Sequence, residues 1–231
     1  MFQHKPLSDI AAAGTGWLKA RHHFAIGGRG NPAHRPVGNL FVLNDDEIAA
    51  RSGFPLHDHA DVEIISYVRA GVVTHEDSLG NKGRTRAGDV QVMSAGTGIS
   101  HAEYNEHGTP TRLFQIWLRP RVRGGVPQWG TRAFPKADRS GRFVPLASGY
   151  GAPDALPIRA DAEVYGAFVP AGMVAAFAFQ PGHSGYLVPA AGAVRVSGQR
   201  VEACEGLIIQ DEAAIEIEAL ADAELVLVVT A

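Results

Sequence analysis

Short apolar runs alternate with turn sequences between residues 38 and 118. The runs GNLFVLN, VEIISYVRAGVVT, GDVQVMS and RLFQIWL are rich in β-branched and aromatic residues, which is typical of strands. Residues 78–81 and 95–98 predict tight turns, because Gly and Asn accept the positive φ that such turns require. The pattern therefore predicts a unit built from strands. Residues 45–51 are the exception, since their acidic start predicts a short helix.

The strand pattern returns after Pro157. Ile215 and Ile217 alternate with Glu216 and Glu218, which is the period of two expected for a half-buried sheet. The predicted strands of this second unit are residues 163–169, 173–179, 193–196, 206–210, 215–218 and 224–229.

Residues 121–157 have several prolines and no sustained period, and we interpret them as a linker. The basic residues in and next to this segment are expected to be solvated, with a binding surface as the alternative: Arg119, Arg121, Arg123, Arg132, Lys136, Arg139 and Arg142. The predicted organisation is an N-terminal domain over residues 1–120, the crossover, and a C-terminal domain over residues 158–231. Both are expected to be all-β sandwiches or barrels of the jelly-roll kind.

Composition narrows the class of protein. A chain of 231 residues buries enough surface to fold without disulfides or a structural metal, so a bound metal is expected to be functional. The net charge of −3 disfavours a nucleic-acid or anionic-lipid surface. The single cysteine, Cys204, is interpreted as a small hydrophobe. With no secretory leader and no apolar span, the sequence predicts a soluble cytoplasmic protein without membrane partners.

The candidate chemistry lies in two short motifs, His57-Asp58-His59 and His101-Ala102-Glu103. Successive side chains of a strand point to opposite faces. His57 and His59 therefore share one face of their strand, and His101 and Glu103 share one face of theirs. If the two strands pair inside a barrel, three imidazoles and one carboxylate converge. Such a set suits Fe, Ni, Cu, Mn or Zn and leaves coordination positions open for a small molecule.

Other titratable residues are expected to have lesser roles. Glu63 lies four residues after His59, so on a continuous strand it would face the same side. It is interpreted as a carboxylate that supports the ligands or the fold, with a fifth metal ligand as the alternative. His75 is expected in a solvated turn. The remaining histidines of irregular sequence are treated as structural: His22, His23, His34, His107 and His183.

The stretches GNLFVLNDD, FPLHDHADVEIISYV, VTHEDSLGNKG, AGDVQVMSAGTGISHAEYN and LFQIWL closely resemble the pirins and pirin-like quercetinases of the cupin superfamily. The likeness is clearest over residues 17–118. It implies two tandem cupin barrels and a single metal, iron foremost, bound by His57, His59, His101 and Glu103. Nickel, copper, manganese and zinc are the alternatives.

Two features depart from that resemblance. Asp58 stands where the family usually has proline, and FAIGGRGNPAHRPVG replaces a segment that lines the pocket in relatives. In the second unit, Ala178, Gln180 and Ser184 fall where His57, His59 and Glu63 stand. The C-terminal domain is therefore expected to be a cover without a metal.

The resemblance implies a dioxygenase that cleaves a flavonol with O2 and releases CO. Glu103 is then the expected catalytic base, and Phe54, Val92 and Phe114 are candidates for packing on the flat substrate. The alternative is a metal-containing regulatory or redox-sensing protein. No nucleic-acid partner is expected, and a protein partner remains open.

Overall fold

The computed structural model describes residues 1–231, and its regular secondary structure is almost entirely β-strand. The strands of the first half are β1 (Phe2–Lys5), β2 (Ala11–Thr15), β3 (Leu18–His22), β4 (Leu40–Ile48), β5 (Ser52–His59), β6 (Glu63–Ala70), β7 (Val72–Asp77), β8 (Lys82–Arg86), β9 (Val90–Ser94), β10 (Ile99–Asn105) and β11 (Thr111–Leu118). The rest of the chain forms β12 (Gln128–Arg132), a 3-10 helix (Lys136–Arg139), β13 (Val144–Ser148), β14 (Leu156–Pro157), β15 (Ala162–Val169), β16 (Val174–Ala178), β17 (Ser184–Ala191), β18 (Val194–Val196), β19 (Gln199–Val201), β20 (Gly206–Ile209), β21 (Ala214–Ala219) and β22 (Ala223–Thr230).

Each half of the chain folds into a barrel made of one large and one small sheet. In the N-terminal barrel the order is β12-β9-β6-β11-β4-β3-β2 in the large sheet and β5-β10-β7-β8 in the small one. In the C-terminal barrel the orders are β1-β20-β17-β22-β15-β13-β14 and β16-β21-β18-β19. The prediction of an all-β protein with two tandem barrels is confirmed.

The apolar core lies mainly between the two large sheets and inside the C-terminal barrel. One cluster of 25 buried residues joins the halves, from Leu43 and Phe114 to Val188 and Val228. A second cluster of 17 residues fills the C-terminal barrel. The N-terminal barrel holds only clusters of five and four residues. Its interior therefore has room for a cavity.

Two predictions of local structure need correction. Residues 45–51 are not a helix, because most of them belong to β4 and the following turn. Two of the acidic side chains pair with cations of other strands, Asp45 with Arg69 and Glu47 with Lys19 and Arg112. Within the crossover, β12 pairs with β9 and β13 pairs with β15. Arg139 is also buried rather than solvated.

The N-terminal segment crosses between the halves. β1 pairs antiparallel with β20, at the edge of the large C-terminal sheet. Lys5, at the end of β1, is buried with its ammonium 4.2 Å from the centre of the Phe24 ring. The first residues thus connect the two barrels. No helix of the structure has the length and apolar character required to span a bilayer.

Candidate metal centre

Three histidines converge at the pairing of β5 with β10. His101 lies opposite His57 in the antiparallel register, and His59 follows on the same face of β5. One ring nitrogen of each lies within 4.8 Å of the others. The His57 and His101 rings are 4.6 Å apart between centroids. The extended backbone places these side chains together, since the period of two directs both β5 histidines into the barrel.

The hydrogen bonds of the rings leave nitrogen lone pairs free. His57 Nδ1 donates to the carbonyl oxygen of Pro55 at 2.7 Å, so its lone pair is on Nε2. The Nε2 atoms of His59 and His101 are buried and have no hydrogen-bond partner in the protein. Buried polar atoms are normally paired. Converging nitrogen atoms without partners therefore fit a divalent metal ion.

Burial keeps two of these imidazoles neutral. Desolvation, reinforced by His57, lowers the pKa of His59 to about 4. Desolvation and the neighbouring histidines lower the pKa of His101 to about 3. Both rings are therefore uncharged at neutral pH, and metal binding there requires no proton release.

Glu103 faces the same cavity, but its carboxylate is not among the converging atoms. Two groups donate to Glu103 Oε1, Ser66 Oγ at 2.9 Å and Gln91 Nε2 at 2.5 Å. The side-chain amide of Gln115 donates to Glu103 Oε2. Burial raises the pKa of Glu103, and these hydrogen bonds only partly oppose that effect. The residue is thus a fixed carboxyl next to the histidine cluster.

The cluster opens into a cavity of about 360 Å³, a size typical of small-molecule sites. The apolar part of its wall includes Leu18, Phe54, Ile64 and Trp117. Trp117 lies 5.0 Å from the His59 ring, edge to face. A flat, largely apolar molecule could therefore lie beside the histidines.

Another part of the wall is polar. His22 Nδ1 and Asn44 Oδ1 are 2.8 Å apart, and His22 Nε2 has no protein partner. Asp46 is 2% exposed, and its Oδ1 also has no partner. Desolvation, with a smaller contribution from Asp45, raises the pKa of Asp46 to about 8. At neutral pH the cavity therefore contains a protonated carboxyl group on β4.

Comparison with known proteins agrees with this geometry. The Pirin family model matches residues 6–118, and the quercetinase C-terminal cupin domain matches residues 145–228. A pirin-like protein of Caulobacter vibrioides is 57% identical over 99% of both chains. The chain belongs to the pirin family.

Other relatives of this pirin carry more specific names. A protein of Escherichia coli strain K12 named quercetin 2,3-dioxygenase is 36% identical, and the match covers 98% of this chain and 97% of that protein. The crystal structure of the bacterial pirin YhhW from Escherichia coli, in complex with nickel(II), superposes with a TM-score of 0.93. It is 32% identical, and the match covers 100% of this chain and 99% of that one. Both barrels are thus of the cupin type.

Several residues of this pirin lie elsewhere than expected. His75 is not in a solvated turn but fully buried on β7. Val92 and Phe114 lie in the core between the large sheets, whereas Phe54 lines the cavity. Glu63 accepts hydrogen bonds from Ser94 Oγ and from the backbone amide of Arg159, so it links the N-terminal barrel to the segment that follows the crossover.

Sequence reasoning missed the polar wall. Asn44 and Asp46 alternate on β4, and Gln115 and Trp117 alternate on β11, each pair directed into the barrel. Polar residues at every second position of an otherwise apolar strand are the pattern that could have identified them. His22, which the sequence analysis assigns to the structural histidines, also lines the cavity.

The C-terminal barrel of this pirin has no comparable cavity lining. Phe177, Phe179, Ile215 and Ile217 pack in or against its apolar cluster. These side chains fill the interior of that barrel. The second barrel is therefore a packed domain beside the first.

Proposed function

We propose that this pirin is a metal-dependent dioxygenase that cleaves a flavonol-like aromatic substrate with O2. The observation that supports this most is the convergence of three imidazoles, two with buried and unpartnered Nε2 atoms, at the wall of a cavity lined by aromatic side chains. The names of its relatives favour the same activity.

His57, His59 and His101 would hold the metal through Nε2, and Glu103 is the proposed fourth ligand. Nitrogen donors with one carboxylate suit iron, nickel, copper, manganese or zinc. When bound, such an ion supplies a Lewis acid that lowers the pKa of a substrate hydroxyl, and a redox-active ion also supplies a site for O2 chemistry.

The protein's own residues would orient the substrate. Phe54 and Trp117 flank the histidines and would pack on the ring system. Asn44 and Gln115 also line the cavity and would form hydrogen bonds with its polar substituents. The apolar wall excludes water from the reacting region, which strengthens these polar contacts.

Glu103 is the proposed proton acceptor. Its carboxylate faces the cavity, where it would accept the proton of a substrate hydroxyl. In the overall reaction, both atoms of O2 enter the product and one ring carbon leaves as CO. The proton on Glu103 returns to the carboxylic acid that the cleavage produces.

The test is metal analysis followed by turnover. Protein freed of metal would be loaded separately with Fe(II), Ni(II), Mn(II) or Cu(II), and mixed with quercetin in air-saturated buffer. We expect loss of the flavonol absorbance with O2 consumption and CO release in equal amounts. His101→Ala should abolish turnover, while His107→Ala, at an exposed histidine of the same barrel, should not.

Stoichiometric metal without consumption of quercetin or other flavonols, in every metal form, would overturn the proposal. That result would favour the regulatory alternative, in which oxidation of the ion changes the affinity for a partner protein.

A further inference from the structure

A buried histidine and aspartate lie directly behind the metal centre. In the small sheet, β10 lies between β5 and β7, so β7 borders His101 on the side away from His57. The register places Asp77 opposite His101 and His75 opposite Glu103. The side chains of His75 and Asp77 are 0% exposed. They are not part of the cavity wall, and the proposed reaction does not use them.

Three contacts connect this pair to the centre. His75 Nε2 lies 3.0 Å from Asp77 Oδ2, and His75 Nδ1 lies 3.4 Å from His101 Nδ1. The indole of Trp129 stacks on the His75 ring at 4.7 Å, with the planes 8° apart. The stacking fixes the plane of the His75 ring, so both of its nitrogens are held in these directions.

Asp77 is itself fixed as an acceptor. The backbone amides of Leu79 and Asn81 donate to Asp77 Oδ1 at 3.0 and 3.1 Å, and the Asn81 side chain donates to Oδ2 at 3.0 Å. Burial raises the pKa of Asp77, but the hydrogen bonds from His75, Asn81 and Leu79 outweigh that effect and lower it overall. The group is therefore a carboxylate at neutral pH.

The direction of each hydrogen bond follows from this carboxylate. Because Asp77 only accepts, His75 carries its proton on Nε2 and has its lone pair on Nδ1. His101 must then donate from Nδ1, which leaves the lone pair on Nε2. That nitrogen is the buried atom without a partner that faces the other two histidines.

We propose that Asp77 and His75 form a positioning relay that fixes the Nε2-ligating tautomer of His101. The inference rests on the metal centre of the proposed function and extends it from the cavity wall to the strand behind it. Residues that orient a metal-bound histidine commonly change metal affinity about 10- to 100-fold when replaced.

The first test needs no metal. Nitrogen-15 NMR of the histidine rings in metal-free protein distinguishes the two tautomers of His101. We expect the Nδ1–H form in the unmodified protein and the Nε2–H form in Asp77→Asn, because an amide that donates to His75 Nε2 reverses both hydrogen bonds. The matched control is Glu76→Gln on the same strand, whose exposed carboxylate pairs with Lys82.

The second test measures Ni(II) affinity by competition with a chelator. Asp77→Asn should weaken binding 10- to 100-fold, and Glu76→Gln should not change it. His75→Phe retains an aromatic ring against Trp129 but removes the relay, so adding Asp77→Asn to it should cause little further loss. If Asp77→Asn weakens Ni(II) binding equally with and without His75→Phe, Asp77 acts only through the turn that it stabilises at Leu79 and Asn81, and the relay is overturned.

The two proposals fail in different ways. An Nε2–H tautomer of His101 in the unmodified protein, or full Ni(II) affinity in both Asp77→Asn and His75→Phe, would overturn the relay. Tight metal binding without flavonol turnover in any of the metal forms would overturn the enzyme and leave the relay standing. If the unmodified protein binds no metal, the NMR result alone decides the relay.

Discussion

Convergence, more than burial, distinguishes the histidines of the candidate centre from the others. His23 is also buried with an unpartnered Nε2, but its Nδ1 contacts Tyr186 and its neighbours include the ammonium of Lys5. A cation nearby disfavours a second cation. Only His57, His59 and His101 bring their nitrogens to one place, and only they form a plausible ligand set.

His101→Ala is expected to remove the metal without unfolding the protein. The metal-free fold depends on apolar clusters that do not include this histidine. We expect bound metal to fall from one ion per chain to near zero, and the free energy of unfolding to fall by about 1 kcal/mol. Elemental analysis and chemical denaturation measure the two quantities. Retained stoichiometric metal would contradict the ligand set, and global unfolding would contradict the structural independence.

Asp46 is expected to make the stability of the metal-free protein depend on pH. Its pKa is about 8 in the folded chain and ~3.9 in an unfolded one. Between those values the folded state holds a proton that unfolding releases. The stability that protonated Asp46 contributes is therefore fully present below the lower value and is lost as pH rises towards 8, by up to about 1.4 kcal/mol per pH unit.

Asp46→Asn should remove that slope. Denaturation of the metal-free variant at pH 5, 6 and 7 would be compared with the unmodified protein and with Asp211→Asn, which changes an exposed aspartate. Parallel pH profiles for all three proteins would show that Asp46 is not protonated in the folded state.

At the scale of elements, the alternation of apolar and polar residues is enough to predict most strands. It does not predict the partners of the acidic residues on those strands. β21 follows its predicted period, with Ile215 and Ile217 buried. Residues 45–51 were misjudged because acidic residues favour a helix start locally, whereas here Glu47 pairs with Lys19 and Arg112 across the sheet. Such partners lie far away in sequence, and local patterns do not contain them.

The misplacement of His75 has a similar cause. Its acidic neighbours resemble a turn, yet His75 and Asp77 form a pair at spacing two, as His57 and His59 do. That parity was available in the sequence. The stacking of Trp129 on His75 could not be predicted in this way, because Trp129 belongs to the crossover segment that is interpreted as a linker.

Gly53 is expected to control how closely β5 approaches β10. A Cβ at this position would lie 2.2 Å from the carbonyl oxygen of Glu103 and 2.6 Å from Tyr104 Cα. Gly53→Ala should separate the strands, lower the free energy of unfolding by about 1–3 kcal/mol and weaken metal binding. Gly16→Ala is the control, since a Cβ there has no neighbour within 4 Å. Unchanged metal affinity and melting temperature in Gly53→Ala would show that the strands tolerate separation.

At the scale of the whole molecule, the two barrels divide the interior differently while sharing one core. The C-terminal barrel is filled by apolar side chains, and the N-terminal barrel keeps polar residues and a cavity. Alignment of the two units, which puts Ala178 and Gln180 at the positions of His57 and His59, predicts that only the first holds a metal site. The pairing of β1 with β20 of the C-terminal barrel is not predicted from the sequence. A strand of four residues is too short for its apolar and polar pattern to identify its partner.

The shared core contains a buried cluster of charged groups between the barrels. Arg139, on the 3-10 helix, is 1% exposed and donates to Glu224 Oε1 at 2.8 Å. Tyr67, on β6 of the N-terminal barrel, donates to the same oxygen of Glu224, on β22 of the C-terminal barrel. Lys136 also pairs with Glu224, at 2.6 Å. This cluster is where the apolar contact between the two large sheets is interrupted.

Arg139→Met is expected to destabilise both barrels together. It leaves Glu224 buried with weaker compensation, and removal of one partner of a buried pair costs about 3–5 kcal/mol. Lys136 should keep the loss near the lower limit. One cluster of apolar residues spans both halves. In the unmodified protein and in Arg139→Met alike, tryptophan fluorescence and circular dichroism should therefore agree with each other on the denaturation midpoint. Arg195→Met, which breaks the exposed pair with Glu218, should cost less than about 1 kcal/mol. Two separate transitions, or equal losses in the two variants, would show that the barrels are stable independently of this cluster.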